Sequence, residues 1–209
     1  MTRLIEVTKT DGIVLQVSSY KYFVLYLHSM KTIILKSKGK NIIIGDNNPI
    51  IVNCNVGIND DSEYANEINK INALFQHKET TPDTMMDLSI CKRSKSIAKY
   101  IIDTYRIPVG VVPIYTLSPS SKEISKNQLL DCIEMNAGDG VSFMTMHFTA
   151  DKDIFHLAQQ QRLIPSTSRG GVATLAEMNI SGKTNNIFIE NIDQIISLAI
   201  KYDFAISLG

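Results

Sequence analysis

From residue 50 onwards, short apolar runs alternate with segments of helical spacing, and most of the runs end in a polar or glycine-rich corner. The clearest example is Pro-Ile-Ile-Val-Asn-Cys-Asn-Val-Gly at residues 49–57. A β-strand that is buried on both faces reads as a continuous apolar run, and strands that alternate with helices form a parallel sheet. Polar residues at the carboxyl ends of such strands point into the mouth of a barrel or of an open sheet. The pattern therefore predicts an α/β fold with its chemistry at one rim of the sheet.

The alternation predicts about six parallel strands joined by right-handed crossovers. The strands are expected at residues 50–56, 84–88, 109–114, 141–147, 165–168 and 204–208. Helices are expected at residues 60–77, 94–105, 125–137, 151–162, 174–178 and 189–202. A closed (β/α)₈ barrel needs eight strands. Six strands predict a partial TIM-type barrel whose first and last strands are open edges that invite pairing with another chain.

The first 47 residues have a different character. Runs rich in β-branched and aromatic residues, such as residues 20–27 and 31–35, are separated by turn-forming segments. They predict a short β-rich leader or cap over residues 1–47. The partial (β/α) barrel domain then covers residues 48–209.

Composition argues against several classes of partner. The 21 Lys and Arg residues balance the 21 Asp and Glu residues, so the chain has no electrostatic footprint for nucleic acid or an anionic membrane. No apolar run is long enough to span a bilayer and no secretory signal opens the sequence, so a cytoplasmic protein is expected. Cys54, Cys91 and Cys132 lie far apart and lack the local spacing of a disulfide framework, a zinc site or an iron–sulfur site.

Four side chains at or near the ends of apolar runs are candidates for ligand contact. Asn55 can bind a ligand or satisfy a turn, and Met86 can line a pocket or fill the core. Tyr115 can stack on a heterocycle or pack on a neighbouring loop. His147 can donate to a phosphate, move a proton or be a satisfied core histidine. The residues alone leave these alternatives open.

The tetrapeptide Ser168-Arg169-Gly170-Gly171 has the composition of an anion-binding turn. Two adjacent glycines allow backbone N–H groups to converge on an anion, the arginine adds a planar fork, and the serine adds a hydroxyl. Phosphate is the ligand that fits this set. A plain turn is an equally common use of such a tetrapeptide.

Six motifs in order along the chain resemble one enzyme family. They are Asn53-Cys-Asn-Val-Gly57, Asp83-Thr-Met-Met-Asp-Leu-Ser89, Val112-Pro-Ile-Tyr115, Thr145-Met-His147, Ser168-Arg-Gly-Gly171 and Ser207-Leu-Gly209. The family they resemble is phosphomethylpyrimidine synthase, the radical enzyme that makes the pyrimidine half of thiamine. No single motif would identify the family, but six in the right order are specific.

The resemblance implies a substrate and a reaction. The family rearranges aminoimidazole ribotide to hydroxymethylpyrimidine phosphate, and a [4Fe–4S] cluster reduces S-adenosylmethionine to start the radical chemistry. The positions that match the substrate-binding residues of the family are Asn55, Met86, Tyr115, His147, Ser168, Arg169 and Gly170.

The resemblance ends with the sequence at Gly209. In the family, Ser-Leu-Gly continues into Asp-Gly-Leu-Arg, then into histidine ligands of a divalent metal such as zinc, and then into a C-x-x-C-x-x-x-x-C cluster motif. The match therefore implies only the N-terminal two-thirds of the barrel. It implies no catalytic or metal-ligating residue in this chain, which we expect not to catalyse the radical reaction alone.

The sequence also departs from the family beside the matched positions. Ile58-Asn59 replaces Thr-Ser, Ile90-Cys91 replaces a small glycine-containing turn, and Phe148-Thr149 replaces Ala-Gly. We expect the phenylalanine to narrow the space beside His147.

Three functions remain open at this point. The chain can be a truncated or split synthase that is completed by a complementing C-terminal fragment or by homo-oligomerisation. It can be a non-catalytic or vestigial paralogue that binds a ribotide or phosphate. It can also be an unrelated barrel enzyme that acts on a small phosphate ester by acid–base chemistry through His147.

Overall fold

The structure, a computed structural model, describes residues 32–90, 96–117 and 123–209. The strands are β1 (Thr32–Leu35), β2 (Ile42–Gly45), β3 (Asn53–Val56), β4 (Thr84–Asp87), β5 (Val109–Val111), β6 (Phe143–Met146) and β7 (Ala205–Leu208). The α-helices are α1 (Tyr64–Leu74), α2 (Ile97–Thr104), α3 (Pro113–Leu117), α4 (Lys126–Gly138), α5 (Lys152–Gln161), α6 (Arg169–Ser181), α7 (Ile187–Glu190) and α8 (Ile192–Tyr202).

The chain divides into two compact units. The smaller unit contains residues 1–34 and 43–50, and the larger contains residues 35–42 and 51–209. Strands β1 and β2 pair in a two-stranded sheet, in agreement with the β-rich character predicted for this part. Most of the predicted leader, residues 1–31, lies outside the described residues. The predicted boundary at residue 47 stays a prediction.

The larger unit is built on a five-stranded parallel sheet with the strand order β3-β4-β5-β6-β7. The strands follow each other across the sheet in chain order, and each neighbouring pair is parallel. Helices connect successive strands, which places the carboxyl ends of all five strands at one edge of the sheet. The predicted α/β class and the parallel strand order are therefore confirmed.

One predicted strand, at residues 165–168, is wrong. This segment is a loop that leads into α6, and β6 pairs directly with β7. Pro165 has no N–H group to donate to a strand ladder. Ser168 is the N-cap of α6, and its Oγ accepts a hydrogen bond from the N–H of Gly171 at 3.0 Å. The residues that were expected to form a strand start a helix instead, so the described residues contain five parallel strands and not six.

The third predicted strand, at residues 109–114, is too long. Strand β5 ends at Val111, and Pro113 is the first residue of α3. Proline is favoured at the first helical position, because its missing N–H group is not needed there and its φ angle already suits a helix. Tyr115 consequently lies on a short helix, and not at the end of a strand as predicted.

The helix boundaries follow from side-chain caps. Ser125 and Gln128 form a reciprocal capping box at the start of α4, as a helix beginning near residue 125 requires. Helix α6 is longer than the predicted residues 174–178, because it runs from the Ser168 cap to Gly182, which has a left-handed φ of 71°. The helix predicted at residues 189–202 is interrupted at Asn191, which separates α7 from α8.

The core of the larger unit lies between the sheet and its helices. All three residues of β5 are buried, as are the alternate residues Met144 and Met146 of β6. These side chains belong to one apolar cluster with buried helix residues such as Ile101, Leu129 and Phe188. Edge strand β3, by contrast, has no buried residue. The burial of the central strands on both faces explains why they read as continuous apolar runs.

Candidate functional site

The sheet brings several of the predicted site residues to the edge formed by the carboxyl ends of its strands. Asn55 lies in β3 directly opposite Met86 in β4. His147 is the first residue after β6, and Gly209 is the first after β7. Strand order therefore places these residues at the rim that the apolar runs predicted.

His147 is the most constrained polar residue at this rim. It is 6% exposed, and its Nδ1 has no hydrogen-bond partner among the described residues. Burial lowers the pKa of His147 below its ordinary value, because the charged imidazolium is less well solvated inside the protein. The imidazole is therefore neutral near pH 7, with one nitrogen that donates and one that accepts.

Two glycines make room for the His147 ring. A methyl group at position 170 would lie 2.0 Å from Cε1 of His147, and one at position 209 would lie 3.0 Å from Nε2. The first distance is far too short for any side chain larger than hydrogen. The ring of His147 is thus packed directly on the backbone of Gly170, and backbone at Gly209 also approaches it closely.

The predicted phosphate-binding tetrapeptide forms the N-terminus of α6. Ser168 caps the helix through the N–H of Gly171, while Arg169 and Gly170 are its first two residues. The carbonyl of Gly170 accepts a hydrogen bond from Oγ1 of Thr174 at 2.8 Å, one turn further along. A helix N-terminus presents free N–H groups and a partial positive charge to an anion. The turn and the helix start are therefore one structure, and it lies against His147.

Tyr115 and Arg169 are also brought together. The guanidinium carbon of Arg169 lies 5.7 Å from the centre of the Tyr115 ring, a distance typical of a cation–π contact. Within the described ranges no carboxylate forms an ion pair with Arg169. The side chain is held over an aromatic face and keeps its hydrogen-bond donors for a ligand.

A cavity of about 280 Å³ opens beside His147. Its polar side includes His147, Thr149, Ser168 and Gly209, and apolar residues of α5 form the opposite side. A second cavity of about 290 Å³ lies at the end of β3, and it is lined by Asn55, Val56, Gly57, Ile58, Asn59, Glu67 and Leu88. Asn55 thus borders one cavity, while His147 and Ser168 both border the other.

The β3 end of the rim is held by contacts that the sequence did not indicate. Asn53 donates from Nδ2 to Oδ1 of Asn55 at 2.8 Å, which fixes the orientation of the Asn55 amide. Glu67 accepts from the N–H of Gly57 at 3.0 Å through Oε1. Asp87, whose role the sequence left undecided, accepts from the N–H of Ala98 in the first turn of α2. Asp87 is therefore a structural residue that holds a helix start.

Phe148 does not narrow the space beside His147, contrary to expectation. Its side chain is buried in the core, with its ring centre 5.7 Å from that of Phe188, and it borders neither cavity. Thr149 lines the cavity instead, and its Oγ1 donates to the carbonyl of Gly209 at 2.8 Å. After β6, the side chain of Phe148 is thus buried in the core, while Thr149 borders the cavity.

The described residues do not fit a metal ion or an iron–sulfur cluster. In these ranges no three His, Cys, Asp or Glu side chains lie close enough to share a metal. Cys54 lies in β3 and Cys132 in α4, while Cys91 is outside the described residues. An iron–sulfur cluster needs several thiolates at one point.

Similarity to known proteins decides the family. A family model described as the radical SAM ThiC family matches residues 22–209. The chain belongs to the radical SAM ThiC family. The family name places it in the radical SAM class. Enzymes of this class in general use S-adenosylmethionine and an iron–sulfur cluster.

Relatives of this ThiC-family chain carry the name phosphomethylpyrimidine synthase. The relative from Carboxydothermus hydrogenoformans is 31% identical over 175 residues, which cover 79% of this chain and 40% of the relative. Those from Clostridium tetani and Pelotomaculum thermopropionicum are each 32% identical over 164 residues, or 76% of this chain and 35% and 37% of theirs. The family resemblance is confirmed, and the chain spans well under half the length of these relatives.

The structure also bears on membrane association. In the part of the chain that it describes, none of the helices is both long and apolar enough to cross a bilayer.

Proposed function

We propose that this chain is the ribotide-binding part of a phosphomethylpyrimidine synthase of thiamine biosynthesis. The observation that carries the proposal is the contact between His147 and Gly170. It places a buried, neutral imidazole against the N-terminus of α6, where Ser168 and Arg169 are also found. An anion that enters here meets donors of three different kinds, of which His147 and Gly170 are buried while Ser168 and Arg169 are exposed. The phosphate of aminoimidazole ribotide is the ligand that the family suggests for it.

Each residue contributes one physical function to this site. The free N–H groups of the first turn of α6 donate to phosphate oxygens without any reorganisation. Arg169 supplies a charged, planar guanidinium group that lies over the ring of Tyr115. The neutral His147 borders the cavity and can donate one hydrogen bond to the ligand. The heterocycle of the ribotide would then lie along the rim towards Met86 and Asn55.

The radical reaction itself is proposed to need more than this chain. The relatives match over only 35% to 40% of their length, and the described residues offer no ligand set for a cluster or a zinc ion. The proposed partner is a complementing C-terminal segment or a further copy of the chain that completes the barrel. A cytoplasmic location is proposed on the same family grounds.

Isothermal titration calorimetry with aminoimidazole ribotide tests the binding proposal. Arg169→Ala removes a charge-assisted fork, so it should weaken binding roughly ten- to a hundredfold. Arg169→Lys keeps the charge but loses the planar geometry, and it should fall between wild type and Arg169→Ala. Lys36→Ala, which changes an exposed lysine paired with Asp203, should bind like wild type. Equal affinity in wild type and Arg169→Ala would place the phosphate elsewhere.

A second candidate, a non-catalytic ribotide-binding module, is favoured by the lack of a metal-ligand group in the described residues. The two functions differ in their response to a complementing segment. The C-terminal region of a relative that this chain does not match, added in trans under reducing anaerobic conditions, should restore product formation for a split synthase. Binding without any product in that experiment would favour the module.

A further inference from the structure

Asn186 uses both ends of its side-chain amide although it is almost fully buried, with 2% exposure. It is the N-cap of α7, and its Oδ1 accepts hydrogen bonds from the N–H groups of Phe188 and Ile189, both at 3.0 Å. This half of the side chain does what any good N-cap does. Serine or threonine would supply the same acceptor.

The donor half of Asn186 reaches the loop that carries His147. Nδ2 donates to the carbonyls of Phe148 and Ala150, both at 3.0 Å, and lies 3.4 Å from the carbonyl of His147. Helix capping requires none of these contacts. They join the turn directly after β6 to the start of α7, two segments about forty residues apart in the chain.

We propose that Asn186 is a positioning residue, which holds the loop after β6 so that the imidazole of His147 stays against Gly170 at the proposed phosphate site. The inference rests on the proposed function only for the identity of the ligand. A loop without these donors would leave the carbonyls of Phe148 and Ala150 without the amide that now donates to them, and it would take up new positions to find water. Because His147 is the first residue of that loop, its ring would move away from α6.

Asn186→Ser separates the two roles of the side chain. The serine keeps an acceptor for the start of α7 but removes the amide donors to the loop. Two measurements follow His147: NMR titration of its Cε1 proton, and the calorimetric affinity for inorganic phosphate. We expect the pKa of His147 to rise towards its ordinary value as water reaches the ring, and the affinity to fall about tenfold.

Asn191→Ser is the matched control. Asn191 is 5% exposed, and its Nδ2 donates only to the carbonyl of Ile187, at 2.8 Å, among the described residues. The same chemical change is therefore made one helix away without touching the loop. It should lower the melting temperature but leave the pKa of His147 and the phosphate affinity unchanged.

The outcome decides between positioning and a purely structural role. An unchanged pKa and affinity in Asn186→Ser, or changes no larger than in Asn191→Ser, would overturn the proposal. If Asn186→Ser does not fold, Asn186→Thr takes its place, because threonine is also a good N-cap residue. If wild-type protein does not bind phosphate, the proposed function fails, while the pKa comparison still decides the role of Asn186.

Discussion

At Gly170 the size of one side chain controls whether the proposed site can form. A methyl group at this position would lie 2.0 Å from Cε1 of His147, so either the ring or the helix would have to move. At the next residue, Gly171, a methyl group would lie 3.3 Å from Oγ of Ser168 and 4.0 Å from the nearest atom of His147. Two adjacent glycines of one motif therefore serve different purposes. Gly170 is required by contact, and Gly171 has room for a small side chain.

Gly170→Ala is expected to lower the free energy of unfolding by roughly 1–3 kcal/mol, the usual cost of overpacking, and to weaken phosphate binding. Gly171→Ala should change both quantities less, because alanine is favoured over glycine inside a helix and only Ser168 would have to shift slightly to admit the methyl group. Urea denaturation and calorimetry measure the two effects. Equal behaviour of the two variants would show that the ring of His147 is not packed on Gly170.

At this scale the sequence indicates candidate residues but not their contacts. His147, Ser168, Arg169 and Gly170 were candidates because imidazole, hydroxyl, guanidinium and glycine each suit an anion. That His147 touches Gly170 depends on how β6 and α6 pack, which no local pattern records. Asn186 precedes a helical segment, and this predicts a cap. Its donor half could not be foreseen, because its partners are remote in sequence.

At the scale of elements, α6 has a buried face that is polar at both ends. The buried positions Gly170, Thr174 and Glu177 are spaced three and four residues apart, so they share one face of the helix. Glu177 is 0% exposed, and neither carboxylate oxygen has a hydrogen-bond partner among the described residues. Burial raises the pKa of Glu177, with Lys183 and the nearby Ser181 hydroxyl opposing the shift and Glu123 and Glu190 adding to it.

Glu177→Gln should therefore stabilise the protein in a pH-dependent way. A carboxyl group whose pKa is raised by folding binds its proton more tightly in the native state, so it destabilises the fold as pH rises from the unfolded pKa of about 4.5 through the native pKa. The variant should match wild type near pH 4 and exceed its free energy of unfolding at pH 8.

Denaturation at several pH values checks this prediction. Glu123→Gln is the control, because Glu123 is exposed and paired with Lys183 at 3.3 Å. It should not gain stability at pH 8. The difference in free energy of unfolding between wild type and Glu177→Gln is the decisive quantity. If it is the same at pH 8 as at pH 4, Glu177 is solvated or paired.

The alternation of strands and helices was predictable because β4 and β5 are buried on both faces and read as apolar runs, and β6 carries apolar residues at its buried positions. Residues 165–168 misled the prediction for a local reason. Proline and a capping serine in the same four residues favour a helix start, and Thr167 is the one β-branched residue among them. Pro113 likewise ended β5 early. In both places, residues that end strands and begin helices made the predicted strand wrong.

At the scale of the larger unit, the five parallel strands leave β3 and β7 as the edges of the sheet. The chain covers 40% or less of the three relatives described above. We therefore propose a division of the family's activity, in which the described residues bind the substrate and the radical reaction needs residues of the relatives that this chain does not match.

Anaerobic reconstitution with iron and sulfide tests this division. The purified chain is expected to hold no stable iron–sulfur cluster, because Cys54, Cys91 and Cys132 are more than thirty residues apart in sequence. Iron and sulfide analysis with visible absorption measures the result. Stoichiometric iron and sulfide, with an absorbance that disappears in Cys→Ser variants, would contradict the division.

The central claim, that a phosphate binds where α6 begins beside His147, is tested most directly by NMR during a titration with aminoimidazole ribotide. The account predicts that the backbone amide of Gly170 and the Cε1 proton of His147 shift together and saturate at one affinity. When inorganic phosphate replaces the ribotide, the chemical shift of the Gly57 amide should not change, because Gly57 borders the separate cavity at β3. Saturable shifts at Gly57 with none at Gly170 or His147 would contradict the account.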